Sequence, residues 1–290
     1  MLRGALASVV LAGCASAGMI DDGTSVSFGP PHRGALLEPA LLPPAGDGYW
    51  VPPTWAHRRL QYGTIELVSF VVHLGRTMQP LRLGRPLAVA DLSPAHGGPS
   101  AWHRSHQTGR DVDLVFFARD AAGRPVAADV MRRYGADGAS LPDRGRPAER
   151  PVYFDDAANW ALVQAVLENP VAEVAYIFIS DDLKQRVIDS ALARRAPPEL
   201  VEAAAELLHQ PSGGLAHDDH MHVRIYCAAS DLPLGCREIG SLRWYKKAFK
   251  YRPDRARRLA EVGPVGEAVR AQRFPLTALP GLPFRGFVPR

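Results

Sequence analysis

The stretch His217-Asp218-Asp219-His220-Met221-His222-Val223-Arg224-Ile225-Tyr226-Cys227 decides how the chain reads, because its last seven residues alternate as a β-strand does. In a strand, residues i and i+2 share a face, so His220 and His222 project together while Met221 and Val223 point the other way. A second stretch, His103-Arg104-Ser105-His106-Gln107-Thr108-Gly109-Arg110-Asp111-Val112-Asp113, places Asp111 and Asp113 on one face by the same rule. The two stretches hold five of the ten histidines in the chain. If their strands are neighbours, imidazoles and carboxylates from both converge on one point. Zinc in a catalytic site takes three N or O protein ligands plus water, which this donor set supplies; magnesium or calcium would ask mostly for oxygen. Gly109 suits a turn that brings both ends of the first stretch to one metal.

Outward from these stretches the pattern is mixed. Thr64 can cap a helix whose Leu67, Phe70, Val71, Leu74 and Met78 fall on one face, with a strand as the alternative because of the β-branched content. Strand candidates are Pro86 to Asp91, Val112 to Phe117 and Val174 to Ile179. Helices are predicted over Asp155 to Glu168, Leu183 to Arg195 and Pro198 to His209, with a turn at Pro211-Ser212-Gly213-Gly214. Arg119 to Arg150 is too long for a plain connection and reads as a functional or irregular loop, where specificity would reside. The expected fold is α+β: a mainly antiparallel sheet with flanking helices and long loops. Residues 14–54, rich in Gly and Pro, read as a tether. Arg243 to Arg258 carries eight basic residues and one acidic residue among Trp244, Tyr245, Phe249 and Tyr251, and opens a basic tail over 246–290.

The 290 residues, 47% hydrophobic and 22% charged, exclude disorder throughout and fit one large or two small domains. A formal charge of +4 is too weak to argue for nucleic acid, and none is expected as a partner. Residues 1–13 have the layout of a secretory signal, and no later apolar run is long enough to span a bilayer. Leu11-Ala12-Gly13-Cys14 resembles a bacterial lipobox, which would make Cys14 the lipidated first residue of the mature protein and a membrane anchor. Of the three cysteines this leaves Cys227 and Cys236 to pair, or to remain as two free thiols.

Ser105 to Asp113 and His217 to Arg224, with Asp91-Leu92-Ser93 and Gly97-Gly98-Pro99 ahead of them, resemble the penicillin-insensitive murein endopeptidases. These belong to a wider group of His-x6-Asp and His-x-His zinc peptidases that includes D-Ala-D-Ala carboxypeptidases. The resemblance covers about residues 55–245 and implies a single zinc-peptidase domain there. It implies Zn2+ held by His106, Asp113 and His222, with His220 as general base. His217 and His103 would be close catalytic neighbours that stabilise the oxyanion if protonated. Asp111 would orient a ligand imidazole, or else pair with Arg224 or Arg110. The implied reaction is hydrolysis of D-alanyl to meso-diaminopimelyl cross-links in peptidoglycan, in the periplasm, with the outer membrane favoured over the inner for the anchor. A zinc D-Ala-D-Ala carboxypeptidase and a non-catalytic cell-wall-binding lipoprotein are the alternatives. Arg110, where the family usually has an apolar residue, is expected to alter substrate contacts.

Overall fold

A computed structural model describes residues 25–142 and 150–240. The signal and lipobox at residues 1–14 and the basic tail over 246–290 lie outside the described residues. At the centre is a four-stranded sheet in the order Leu208–His209, Val174–Phe178, His220–Ile225, Asp111–Val115. Two of its three pairings are antiparallel and only the short Leu208–His209 edge runs parallel, so the expected mainly antiparallel sheet holds. Val112, Leu114, Ile177, Met221 and Val223 are fully buried. Deleting one such side chain to alanine costs roughly 2–5 kcal/mol.

Helices cover the sheet. Ile65–Met78 starts at Thr64, whose hydroxyl accepts from Leu67 N at 3.2 Å, as its spacing predicts. Asp156–Leu167 is capped by Asp155, which accepts from Ala158 N at 3.1 Å, and its buried Asn159 exchanges hydrogen bonds with the Phe117 backbone. Asp181–Ala193 and Pro198–Leu207 pack against it. Every predicted helix is present within two or three residues. The strand expected over Pro86 to Asp91 is only Leu87–Ala88, but Ala90 N and Asp91 O still bond the Asp113 backbone at 2.8 and 3.0 Å.

The tether reading of residues 14–54 is corrected from Ser25 onward. Val26–Phe28 pairs with Ala35–Leu37, Ala40–Leu41 with Tyr62–Gly63, and Tyr49–Trp50 with Leu87–Ala88. Leu36, Leu42 and Tyr49 are core residues, exposed by no more than 2%. Strands of two or three residues separated by prolines leave no periodicity to read, yet most of them bury a side chain. The domain therefore begins well before residue 55. Cys227 and Cys236 form a disulfide, S–S 2.01 Å.

Candidate active site

Cross-strand register builds the site. His222 lies opposite Asp113 and Arg224 opposite Asp111, with Met221 and Val223 turned into the core alongside Val112. Asp113 is fully buried, and its Oδ1 sits 3.2 Å from His106 Nε2, 3.3 Å from His220 Nε2 and 3.5 Å from His222 Nδ1. His103 Nδ1 lies 3.8 Å from Asp113 Oδ2, and the His103 and His106 rings stack at 4.2 Å. All five histidines predicted from sequence thus surround one carboxylate or its immediate neighbours, His217 standing 5.1 Å from His220 and 5.6 Å from His222 between ring centroids.

The loop before Asp111 is shaped for this. His106 adopts φ 64° and Gly109 φ 70°, the left-handed region. A Cβ on Gly109 would meet Leu36 side-chain atoms at 2.7 Å and Thr64 N at 2.9 Å, so glycine is required there. Gly109 O also accepts from Thr64 N at 2.8 Å, fastening the loop to the start of the Ile65–Met78 helix. His106 Nδ1 donates to the Leu92 carbonyl, which aims Nε2 at Asp113.

Each ring is oriented from behind. Asp111 Oδ1 accepts from His222 Nε2 at 2.7 Å and from Arg224 Nε at 2.6 Å, so both readings of Asp111 apply at once. Asp219 Oδ1 accepts from His220 Nδ1 at 2.6 Å, and the Leu215 carbonyl from His217 Nδ1 at 2.9 Å. Asp91, fully buried, accepts from His103 Nε2 at 2.9 Å and from Arg58 at 2.7 Å on the same oxygen. Asp91, Arg58 and Asp219 were not singled out as site residues in the sequence. The only sequence signal for Asp91 was the Asp91-Leu92-Ser93 string.

The electrostatics follow from this enclosure. Burial raises the cost of a charged Asp113, but the His106 and His220 rings outweigh it and hold the carboxyl well below its ordinary range. Burial also opposes a charged His220, yet Asp113 and Asp219 together push that ring up to about 10. His222 is pushed down to about 3 by burial, and His217 is lowered by burial and by His220 beside it. With its Nδ1 turned to the Leu215 carbonyl, His217 has Nε2 as its other ring nitrogen.

Arg110 is corrected. It is buried and points away from the site, bonding Ser27 Oγ at 3.0 Å, Ile225 O and Glu238 Oε2 at 3.2 Å and Arg237 O at 3.0 Å. It ties the two ends of the described domain together.

His106 Nε2 and both Asp113 oxygens are buried with no hydrogen-bond partner among the described residues. Such atoms are costly to leave unpaired, and a cation is what their convergence fits. Two groups have ligand atoms mutually within 4.8 Å: His103, His106 and Asp113, and His217, His220 and His222. The expected trio of His106, Asp113 and His222 draws from both.

A family model described as penicillin-insensitive murein endopeptidase matches residues 27–239. Proteins named penicillin-insensitive murein endopeptidase from Salmonella paratyphi C (strain RKS4594) and Salmonella typhi are 29% and 28% identical to this chain over 217 residues. The match spans 72% of this chain and 69% of each relative. The match over most of the domain, the buried donors around Asp113 and the paired strands that carry them agree: the chain belongs to the penicillin-insensitive murein endopeptidase family.

Proposed function

We propose that this chain is a zinc-dependent peptidoglycan hydrolase that cleaves D-alanyl to meso-diaminopimelyl cross-links, anchored in the bacterial envelope through a lipid on Cys14 and facing the periplasm. The observation that carries the reading is the set of unpartnered buried donors, His106 Nε2 and the two Asp113 oxygens, with His222 Nδ1 beside them. These three residues would hold the metal. A bound zinc supplies Lewis acidity, which activates water near neutral pH and polarises the scissile carbonyl.

The remaining work falls to the chain. Asp111 fixes the His222 ring through Nε2 and so leaves Nδ1 free to ligate. Asp219 holds the Nδ1 proton of His220, so Nε2 is the atom that accepts the proton of the attacking water and returns it to the leaving amine. The upward push on His220 comes in large part from the Asp113 charge. With that charge offset by a divalent cation, the ring returns toward the range where it accepts a proton. His103, held by Asp91, is a catalytic neighbour or a further ligand on the His106 side. His217 is a catalytic neighbour on the His220 side. A β-lactam acylates a serine nucleophile, and this assignment has none. Among the described residues no helix is long and apolar enough to cross a membrane.

The test is incubation of the zinc-loaded protein with purified cross-linked muropeptide dimers, with and without a chelator, read by mass spectrometry. Dimers becoming monomers only with metal is the expected result. Loss of a single terminal alanine instead would make the protein a carboxypeptidase, and tight zinc with intact substrate would make it a binding lipoprotein.

A further inference from the structure

Trp102 stands immediately before His103 and is 57% exposed, yet it is held in place. The Arg58 guanidinium lies over its ring with Cζ 3.9 Å from the centroid, a cation–π stack that covers one face. Arg58 in turn donates to Asp91 at 2.7 Å, on the same oxygen that accepts from His103 Nε2 at 2.9 Å. The turn beneath is tied by Ser100 Oγ, which accepts from Trp102 N at 3.4 Å and His103 N at 3.1 Å. One buried carboxylate therefore sets both the orientation of a histidine in the cluster and, through Arg58, that of the indole. A single exposed apolar side chain is ordinary. Fixing a large aromatic in one orientation while much of it stays wet costs rotamer freedom with little burial in return, which points to a role in contact with something else.

We propose that Trp102 is a substrate-contact residue whose open face packs against the apolar part of the stem peptide beside the scissile bond, with Arg58 as its positioning residue. This rests on the murein endopeptidase reading. Reach selects peptide over glycan. Consecutive Cα atoms are about 3.8 Å apart, so Trp102 starts one residue from the cluster, whereas an extended stem of about four residues puts the sugar roughly 14 Å from the scissile bond. Within the shorter reach the stem offers an alanyl methyl and the methylene arm of its diamino acid, apolar groups that an indole face takes without needing a hydrogen bond.

The test is steady-state cleavage of cross-linked dimers, with and without their sugars, by the zinc-loaded full chain. Trp102→Ala is expected to raise KM about tenfold on both substrates while kcat stays within about twofold, and Trp102→Phe to restore KM. Arg58→Met is expected to give a smaller rise in KM. An unchanged KM in Trp102→Ala overturns the proposal. So does a rise confined to sugar-bearing dimers, which would assign Trp102 to the glycan, or a fall in kcat accompanied by zinc loss, which would make it structural. If the wild-type protein cleaves neither dimer, the endopeptidase reading fails separately. Calorimetric binding of the sugar-free dimer to zinc-loaded wild type and Trp102→Ala then decides the contact, equal affinities overturning it.

Discussion

Arg110 and Asp113 lie three positions apart, are both almost wholly buried and both charged, yet their surroundings are opposite in kind. Arg110 spends its guanidinium on Ser27, Ile225, Glu238 and Arg237, with a counter-ion and two backbone carbonyls among its acceptors. Asp113 has neither oxygen in a hydrogen bond although three imidazole nitrogens stand within 3.5 Å. Burying a charge is tolerable when it is paired and fully hydrogen-bonded, as at Arg110. Donors that converge without hydrogen-bonding one another, as at Asp113, are arranged for a guest. The difference separates structural from functional polarity within a single strand and the residue preceding it.

The largest expected effect is at the unpartnered end. His106→Ala or His222→Ala should lose zinc and turnover together, whereas His220→Ala should keep zinc and lose turnover by about 10²–10⁴-fold, the usual contribution of a general base. Zinc content by plasma emission alongside dimer cleavage tells these apart. A fully active His220→Ala protein would remove the base assignment.

At the satisfied end the prediction inverts. Arg110→Ala takes a buried guanidinium away from four acceptors, the Glu238 carboxylate among them, and should cost about 3–5 kcal/mol in urea unfolding. Zinc bound per folded chain should not change. Arg110→Met, which keeps the aliphatic bulk, is a second variant should the alanine protein fail to fold. Loss of zinc from folded Arg110→Met protein would erase the distinction drawn between the two charges.

Asp111 sits between the extremes, since one oxygen serves both the site and a structural arginine. Asp111→Asn should weaken zinc binding by about 10–100-fold, the typical cost of losing a carboxylate behind a ligand imidazole. Arg224→Gln, which does not touch His222 through a hydrogen bond, should weaken it less. Competition with a chromophoric chelator measures both, and equal losses would assign Asp111 to Arg224 alone.

What was legible in the sequence follows from the same physics. Strand alternation is local, so His220, His222, Asp111 and Asp113 could be assigned to one face from spacing alone, and the register His222 to Asp113 places them there. The same alternation sets Arg110 with Val112 on the other face, in agreement with its burial. Asp91 was not legible as a site residue, because its partners Arg58 and His103 lie 33 and 12 positions away and nothing local announces them. The stretch from Ser25 to Thr54 was misread because prolines cut its strands to two or three residues. Arg119 to Arg150 reads from its length as a functional or irregular loop. Its Tyr134 N bonds Asp218 O at 2.9 Å and Arg133 grips the Asp218 carboxylate at 2.8 Å, so it braces the His217 segment.

That brace is anchored by Tyr134, whose ring packs edge-on against Phe116 and Phe154 at 6.2 and 5.7 Å, and it supplies the smallest effect. Burial pushes the Tyr134 phenol up to about 12, and burial with Asp47 nearby does the same for Tyr49. In the unfolded chain a tyrosine loses its proton near pH 10. Between about pH 10 and 12 the unfolded state therefore binds fewer protons than the folded one, and stability falls as pH rises, by at most about 1.4 kcal/mol per pH unit per tyrosine. Below pH 10 both states hold the proton and the contribution is constant. Tyr134→Phe should leave stability near neutral pH almost unchanged and flatten the alkaline decline by roughly 1–2 kcal/mol at pH 12, read from urea midpoints across the range. Unlike Asp113, this phenol is buried to stay uncharged, so parallel alkaline curves for wild type and variant would mean that Tyr134 is open to solvent and that the brace on Asp218 is looser than its packing implies.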